Sequence, residues 1–227
     1  MVSAIIVAAG KGTRMGPNMD KLFLEVAGRP VVAHTWERFD RANDVDAIVV
    51  VVRDGMQEVF EDLVEQYGFI KPYQLVAGGA ERQDSVWNGL EALPHGTEVV
   101  AIQDGARPCT DGALITATIA AARGVGAAVA AQPVTDTIKE SADGKTVSRT
   151  LERGKLWAVQ TPQVFRVDVI RRALAMVREK GLQVTDDTAA CELIGQAVRL
   201  IAGTTPNPKV TVPSDLPYIE LLLKQAE

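Results

Sequence analysis

Apolar positions in this chain fall into short continuous blocks separated by amphipathic stretches. The block Asp46 to Val52 (DAIVVVV) shows the pattern most clearly: it is β-branched, unbroken and without alternation. Strands buried on both faces of a parallel sheet read this way, whereas half-exposed strands alternate. The same reading predicts strands at 3–8, 74–77, 98–103 and 126–131. Helical periodicity fills the intervals near 31–41, 56–68, 81–92 and 112–123. A βαβα order implies an α/β fold of Rossmann-like character, a mostly parallel sheet covered by helices on both faces. Ligands of such sheets bind beyond the carboxyl ends of the strands.

The rhythm changes at Gln132. From there to Gln160 the chain is polar and β-leaning, with Asp143-Gly144 as a hairpin signal. This stretch, 132–160, is expected to be a β-arm projecting from the sheet. A two-stranded ribbon is marginally stable alone in water, so the arm is expected to pack on a second subunit. Helices are predicted again at 167–180 and 186–195, a strand at 197–202, and a last helix over 214–226 with Ser214 as its N-cap. Nothing divides the chain further, so 1–227 is read as a single domain that contains the arm.

Composition narrows the function. The chain has 227 residues, 47% hydrophobic, which is enough for a substantial core. Its net charge of −5 lacks the basic footprint of a nucleic-acid binder. No apolar run reaches membrane-spanning length, and the first residues read as a strand and not as a signal peptide. A cytoplasmic location is the expectation. Cys109 and Cys191 are unclustered, which suits a reducing compartment. With only His34 and His95 present, chemistry that rests on a histidine base is disfavoured.

Three segments carry candidate chemistry. The first strand runs into AAGKGTRMG, Ala8 to Gly16, with Lys21 shortly after. Gly10, Gly12 and Gly16 allow a tight turn and close approach of a ligand to the backbone. Turned amides form an anion site, and Lys11, Arg14 and Lys21 add charge that suits a triphosphate. The spacing G-x-G-x-x-x-G departs from the dinucleotide fingerprint, and no Gly-Lys-Ser/Thr closes a Walker loop. In the second segment, IQDGARP, Asp104 ends an apolar strand. It could cap the next segment or ligate Mg²⁺, which needs few carboxylates when phosphates supply the other oxygens. Arg107 could bind an anionic acceptor. In the third, AGGAERQDSVWNGL, Gly79 and Ser85 offer exposed backbone and a hydroxyl to a base edge. Elsewhere, TDDTAACE (185–192) reads as a helix start with acids in its first turn.

These pieces, in this order, resemble the nucleotidyltransferases of the nucleotide-diphosphate-sugar transferase fold. GGAERQDSV, DGARP, PVTDTIK, LERGKLWAVQTPQVF, TDDTAACE and NPKVT narrow the resemblance to the 2-C-methyl-D-erythritol 4-phosphate cytidylyltransferase family. The resemblance spans essentially the whole chain. It implies transfer of CMP from CTP to 2-C-methyl-D-erythritol 4-phosphate, with Mg²⁺ as cofactor and a homodimer that shares its active sites. Carried over by motif, it gives Ala8, Ala9, Gly10 and Gly12 to the CTP phosphates, and Arg14, Lys21 and Lys209 to catalysis. It gives Gly79 and Ser85 to cytosine, Asp104 to the metal and acceptor, and Arg107 to the acceptor. Thr137 and Arg153 on the arm would reach the acceptor phosphate of the neighbouring subunit. Two positions depart from the family pattern: Asp20 stands where proline is common, and Ala80 where an acid is common. Asp20 could pair with a cation. The alternatives are a ribitol 5-phosphate cytidylyltransferase and a relative that binds the nucleotide without turnover.

Overall fold

The computed structural model describes residues 1–10 and 20–225. Seven strands form one sheet: β1 (Val2–Val7), β4 (Ala47–Val52), β5 (Tyr73–Ala77), β6 (Val99–Asp104), β7 (Ala127–Pro133), β10 (Trp157–Arg166) and β11 (Arg199–Ala202). Their spatial order is β11-β7-β10-β6-β1-β4-β5. Two small hairpins account for the other strands: β2 (Glu25–Val26) with β3 (Arg29–Pro30), and β8 (Lys139–Glu140) with β9 (Arg149–Thr150). The helices are α1 (Val31–Asp40), α2 (Gln57–Tyr67), α3 (Arg82–Glu91), α4 (Gly112–Val125), α5 (Val167–Glu179), α6 (Asp187–Leu193) and α7 (Leu216–Gln225).

Every residue of β4 is buried because both faces of the sheet are covered. Along β1, Val2, Ala4 and Ile6 join one core while Ile5 joins the other; along β4, Ile48, Val50 and Val52 alternate likewise with Val49 and Val51. The first core holds side chains from α1, α2, α4 and α7, including the fully buried Trp36, Phe39 and Phe60. The second holds side chains from α3, α5 and α6. The unbroken valine run is thus the consequence of a strand that feeds two cores at once.

The chain starts at β1, builds outward through β4 and β5, then returns to place β6 on the other side of β1. The strand order therefore reverses at β1, and the connections that follow β1 and β6 lead away to opposite sides, which leaves a crevice beyond their carboxyl ends. This is where a ligand site is expected.

Two differences from the sequence reading matter. β10, whose first residues are predicted as the end of the arm, is a ten-residue strand in the interior of the sheet. It runs antiparallel to both β6 and β7. Its ladder to β7 is interrupted between Val159 and Gln163, and Pro162 sits within that interruption. A proline is tolerated in a central strand only at such a bulge, which is why the segment did not read as a strand. The C-terminal helix also begins later, after a 3₁₀ turn at Pro213–Asp215. Ser214 lies inside that turn, which Asp215 closes by accepting from the amides of Thr211 (2.7 Å) and Val212 (2.9 Å).

Of the stretch 132–160, the two ends belong to β7 and β10 of the main sheet, and the β8–β9 hairpin lies between them. Residues 139–150 are exposed throughout, and Asp143 closes the turn by accepting from the amides of Lys145 and Thr146. Among the described residues, no helix is long and apolar enough to cross a membrane. Both cysteines are free and buried.

Candidate active site

A pocket of about 610 Å³ opens at the carboxyl ends of β1, β4, β5 and β6. Its described walls come from Val7 to Gly10, from Lys21 and Leu22, from Arg53 and Asp54, from Gly78 to Ser85, from Asp104 to Ala106, and from Lys209. Six separate segments of sequence therefore converge on one crevice.

Gly78 and Gly79 are placed where a side chain could not fit. A Cβ on Gly78 would lie 2.4 Å from Ala9 Cβ and 3.1 Å from Ser85 Oγ. A Cβ on Gly79 would lie 2.3 Å from Asp84 Cβ. The loop before α3 can approach the end of β1 only because both positions lack side chains. Ser85, buried at the first turn of α3, fixes that loop: its hydroxyl accepts from the Gly79 amide (3.1 Å) and donates to the Glu81 carbonyl (3.2 Å). Ala9 and Gly10 line the pocket, while Ala8 is buried behind it with its amide donated to Val51. Gly12 and Arg14 lie outside the described residues.

Asp104 is the electrostatic centre. As the last residue of β6, its backbone is held by β1 through the Val7 register and by the Thr161 hydroxyl, which accepts from the Asp104 amide (3.1 Å). Its carboxylate faces three cations. Lys209 Nζ donates to Oδ2 at 2.6 Å, Arg107 Nε lies 3.8 Å from Oδ2, and Arg82 Nε lies 3.5 Å from Oδ1. Burial pushes this carboxyl up, but Lys209 and Arg82, with the Lys209 hydrogen bond and Arg107, outweigh burial and hold it near about 2. Asp104 is therefore ionised across the physiological range.

Lys209 reaches Asp104 from near the end of the chain because the 207–210 segment is bonded to the DGARP loop. The Val210 amide donates to Ala106 (2.8 Å), and Asn207 Nδ2 donates to the Thr161 carbonyl (2.8 Å). Thr110 donates to Asn207 Oδ1 (3.0 Å), and Lys21 Nζ donates to the Val210 carbonyl (3.0 Å). Lys21 and Lys209, 188 positions apart in sequence, so share one wall. Arg107 is buried and turned to the Asn207 carbonyl (2.7 Å). It supports this crossing and is not among the lining residues. Burial lowers its pKa.

Asp20, the departure noted in the sequence, forms an ion pair with Arg53 at the pocket rim while its Oδ1 accepts from the Leu22 amide (3.1 Å). Thr137 and Arg153 do not join the pocket of their own chain. They lie exposed on the arm, where Arg153 donates to the Thr135 carbonyl (2.7 Å). Neither histidine lines the pocket; His34 instead bonds the Val26 carbonyl (2.7 Å) and secures the β2–β3 hairpin to α1.

Arg82 and Asp187 escaped the sequence reading. Arg82 lies between Asp104 and Asp187, with Nη2 2.8 Å from Asp187 Oδ2. Burial lowers its pKa, yet the two carboxylates more than compensate and raise it. Burial raises the pKa of the fully buried Asp187, with Arg82 pulling against it. The available signal was the doubled acid in TDDTAACE. One acid suffices for the helix start, and that is Asp186, which accepts from the Ala189 amide (2.9 Å).

Among the described residues there is no cluster of three or more histidine, cysteine or acidic side chains that could enclose a metal. A single carboxylate at the floor of a cation-lined pocket fits Mg²⁺ of the kind whose remaining ligands are phosphates and waters.

Comparison with known proteins accords with this arrangement. A family model described as IspD, 2-C-methyl-D-erythritol 4-phosphate cytidylyltransferase, matches residues 2–225. Proteins of that name from Pelotomaculum thermopropionicum and Desulforamulus reducens are 43% and 44% identical. The matches cover 98% and 99% of this chain, and 94% and 96% of theirs. The crystal structure of 4-diphosphocytidyl-2C-methyl-D-erythritol synthase from Anaerococcus prevotii superposes with a TM-score of 0.86 at 31% identity, covering 98% of both chains. That of the cytidylyltransferase from Thermus thermophilus gives 0.79 at 31%, covering 99% of this chain and 100% of the other. The glycine-walled crevice, the Lys21–Lys209 wall and the matching of nearly every residue lead to one assignment: this chain belongs to the 2-C-methyl-D-erythritol 4-phosphate cytidylyltransferase family.

Proposed function

We propose that this protein transfers CMP from CTP to 2-C-methyl-D-erythritol 4-phosphate, releasing pyrophosphate and 4-diphosphocytidyl-2-C-methyl-D-erythritol in isoprenoid precursor synthesis. Family membership supports the reaction. The observation that carries it onto these residues is the convergence of Lys21, Lys209 and Arg82 around Asp104 in a pocket walled by glycine backbone.

An acceptor phosphate oxygen attacks the α-phosphorus of CTP, and pyrophosphate leaves in line. The nucleophile is already an anion, so no strong general base is needed, in keeping with a pocket that has no histidine among its described lining residues. The protein's work is positioning and charge stabilisation. Lys21 and Lys209 meet charge that grows on the α-phosphoryl oxygens, and Arg14 is the third cation expected there. The glycine backbone at Gly10 and Gly79 admits the nucleotide, with Ser85 holding the base loop in shape. Asp104 would hold Mg²⁺, which on binding supplies neutralising charge to the triphosphate. Its ionised state suits that task.

The arm completes the proposal. Thr137 and Arg153 lie away from their own pocket, and they would contact the acceptor phosphate of a partner subunit in a homodimer. Release of pyrophosphate with Mg²⁺, CTP and 2-C-methyl-D-erythritol 4-phosphate, with ribitol 5-phosphate in parallel, tests the reaction. Lys21→Ala should lower turnover by roughly 100-fold, the scale for one preorganised charge-stabilising donor. Mixed dimers with Lys21→Ala in one subunit and Arg153→Ala in the other should recover one working site. No recovery refutes the shared site. Release with ribitol 5-phosphate alone refutes the acceptor.

A further inference from the structure

Asp187 is a fully buried carboxylate that the proposed reaction does not use. Neither of its oxygens accepts a well-aligned hydrogen bond, and among the described residues its charge is met only by Arg82. Burying a carboxylate costs several kcal/mol unless a partner offsets it. The helix it begins is already capped by Asp186, so local structure gives no reason for a second acid.

Both partners are held firmly in place. The Asp187 amide donates to Gln163 Oε1 (3.0 Å), and Gln163 Nε2 donates to Asp186 Oδ2 (2.9 Å), which ties the start of α6 to β10. Arg82 opens α3 inside a reciprocal Glu81–Asp84 capping arrangement. The next residue, Gln83, donates to the Leu182 carbonyl (3.0 Å) and accepts from the Val184 amide (3.1 Å). The guanidinium is therefore suspended between two carboxylates, close to Asp187 at 2.8 Å and farther from Asp104 at 3.5 Å. The two oxygens of Asp104 differ as a result. Oδ2 is engaged by Lys209, while Oδ1 accepts no hydrogen bond among the described residues.

We infer that Asp187 is a positioning residue that draws the Arg82 guanidinium off Asp104 and so keeps Asp104 Oδ1 available to a divalent cation. Without the Asp187 charge, Arg82 closes on Asp104 as a bidentate pair, the strong geometry for arginine and carboxylate. One uncompensated positive charge then also faces the incoming metal. The inference rests on the reading of Asp104 as the metal ligand. Partners that orient a metal ligand from behind typically govern 10- to 100-fold in metal affinity.

The test is Mn²⁺ binding to the protein saturated with CTP, followed by electron paramagnetic resonance, with metal-free CTP binding measured by calorimetry in EDTA. Asp187→Asn should weaken Mn²⁺ binding by roughly 10-fold or more while metal-free CTP binding is retained. A purely structural role would weaken both. The double variant Arg82→Gln/Asp187→Asn removes the competing cation and replaces a charged buried pair with two amides. It should bind Mn²⁺ at least as tightly as the unaltered protein. Unchanged Mn²⁺ affinity in Asp187→Asn, or a double variant as weak as the single, overturns the inference. If Asp187→Asn fails to fold, the double variant decides alone, and weakened Mn²⁺ binding there is the refuting result. Failure of the unaltered protein to bind CTP or Mn²⁺ would instead refute the reading of the site itself.

Discussion

Gly78→Ala is the sharpest test of how the pocket is built. The new Cβ would stand 2.4 Å from Ala9 Cβ and 3.1 Å from Ser85 Oγ. Ala9 has no rotamer to relieve the clash, so the β1 loop and the loop before α3 must separate by about 1 Å to restore van der Waals contact. Overpacking of that kind costs about 1–3 kcal/mol. The functional cost should be larger, because both loops line the pocket proposed for the nucleotide, and a 1 Å misplacement costs roughly 100-fold in rate. Gly124→Ala in α4 is the control. Its Cβ meets nothing within 4 Å, and alanine in a helix is favoured over glycine by about 0.5–1 kcal/mol. Urea unfolding and pyrophosphate release on both variants give the comparison. Gly78→Ala with unaltered stability and turnover would refute the argument that close loop approach creates the site.

Three further outcomes follow from the charges and thiols. Asp104 has a folded pKa near about 2 against an ordinary value of 3.8, so its ion pairs stabilise the fold above about pH 4 and the gain is lost as pH falls toward 2. That shift corresponds to about 2 kcal/mol; between pH 5 and pH 2, metal-free protein should lose that much more unfolding free energy than Asp104→Asn, and equal losses would contradict the pairing. Burial pushes Cys109 up to about 11, and burial with Asp187 and Asp186 pushes Cys191 up to about 12. Native protein at pH 8 should therefore leave a disulfide reagent unreacted until it unfolds, and rapid labelling would contradict the burial. A double-mutant cycle on Asp20→Ala and Arg53→Ala should give a coupling of about 1 kcal/mol in unfolding free energy for this partly exposed pair; additive effects would show that the rim pair contributes nothing.

Much of the fold was legible because the physics is local. A valine run such as Ala47–Val52 can satisfy itself only with apolar cover on both faces, so the parallel sheet and the site at its carboxyl edge could be read from the chain. The site residues Lys21, Gly79, Asp104 and Lys209 do converge on one pocket. What stayed hidden is non-local. Asp187 looked like an ordinary acid at a helix start, since nothing near it in sequence reveals that Arg82, 105 positions earlier, lies against it. The bond from Arg107 to the Asn207 carbonyl was hidden in the same way, because its partner lies 100 residues away.

The misread strand has a consequence for how the arm and the site communicate. β10 begins as the arm ends, at Trp157, and crosses the sheet between β7 and β6. At its interruption, buried Thr161 accepts the Asp104 amide on one side and the Asn207 amide group on the other. Two residues on, Gln163 anchors the Asp186–Asp187 corner. One strand therefore leaves the root of the β-arm and touches the backbone of the carboxylate, the segment that carries Lys209 and the anchor of the Asp187 that holds Arg82. A loop could not transmit a change in the arm to these groups, because its backbone is free to absorb the displacement. β10 is instead tied to β7 at Trp157–Val159 and, beyond its interruption, to both β7 and β6 from Gln163 onward. If the arm seats on a second subunit, as proposed, that contact is joined through β10 to the groups around Asp104.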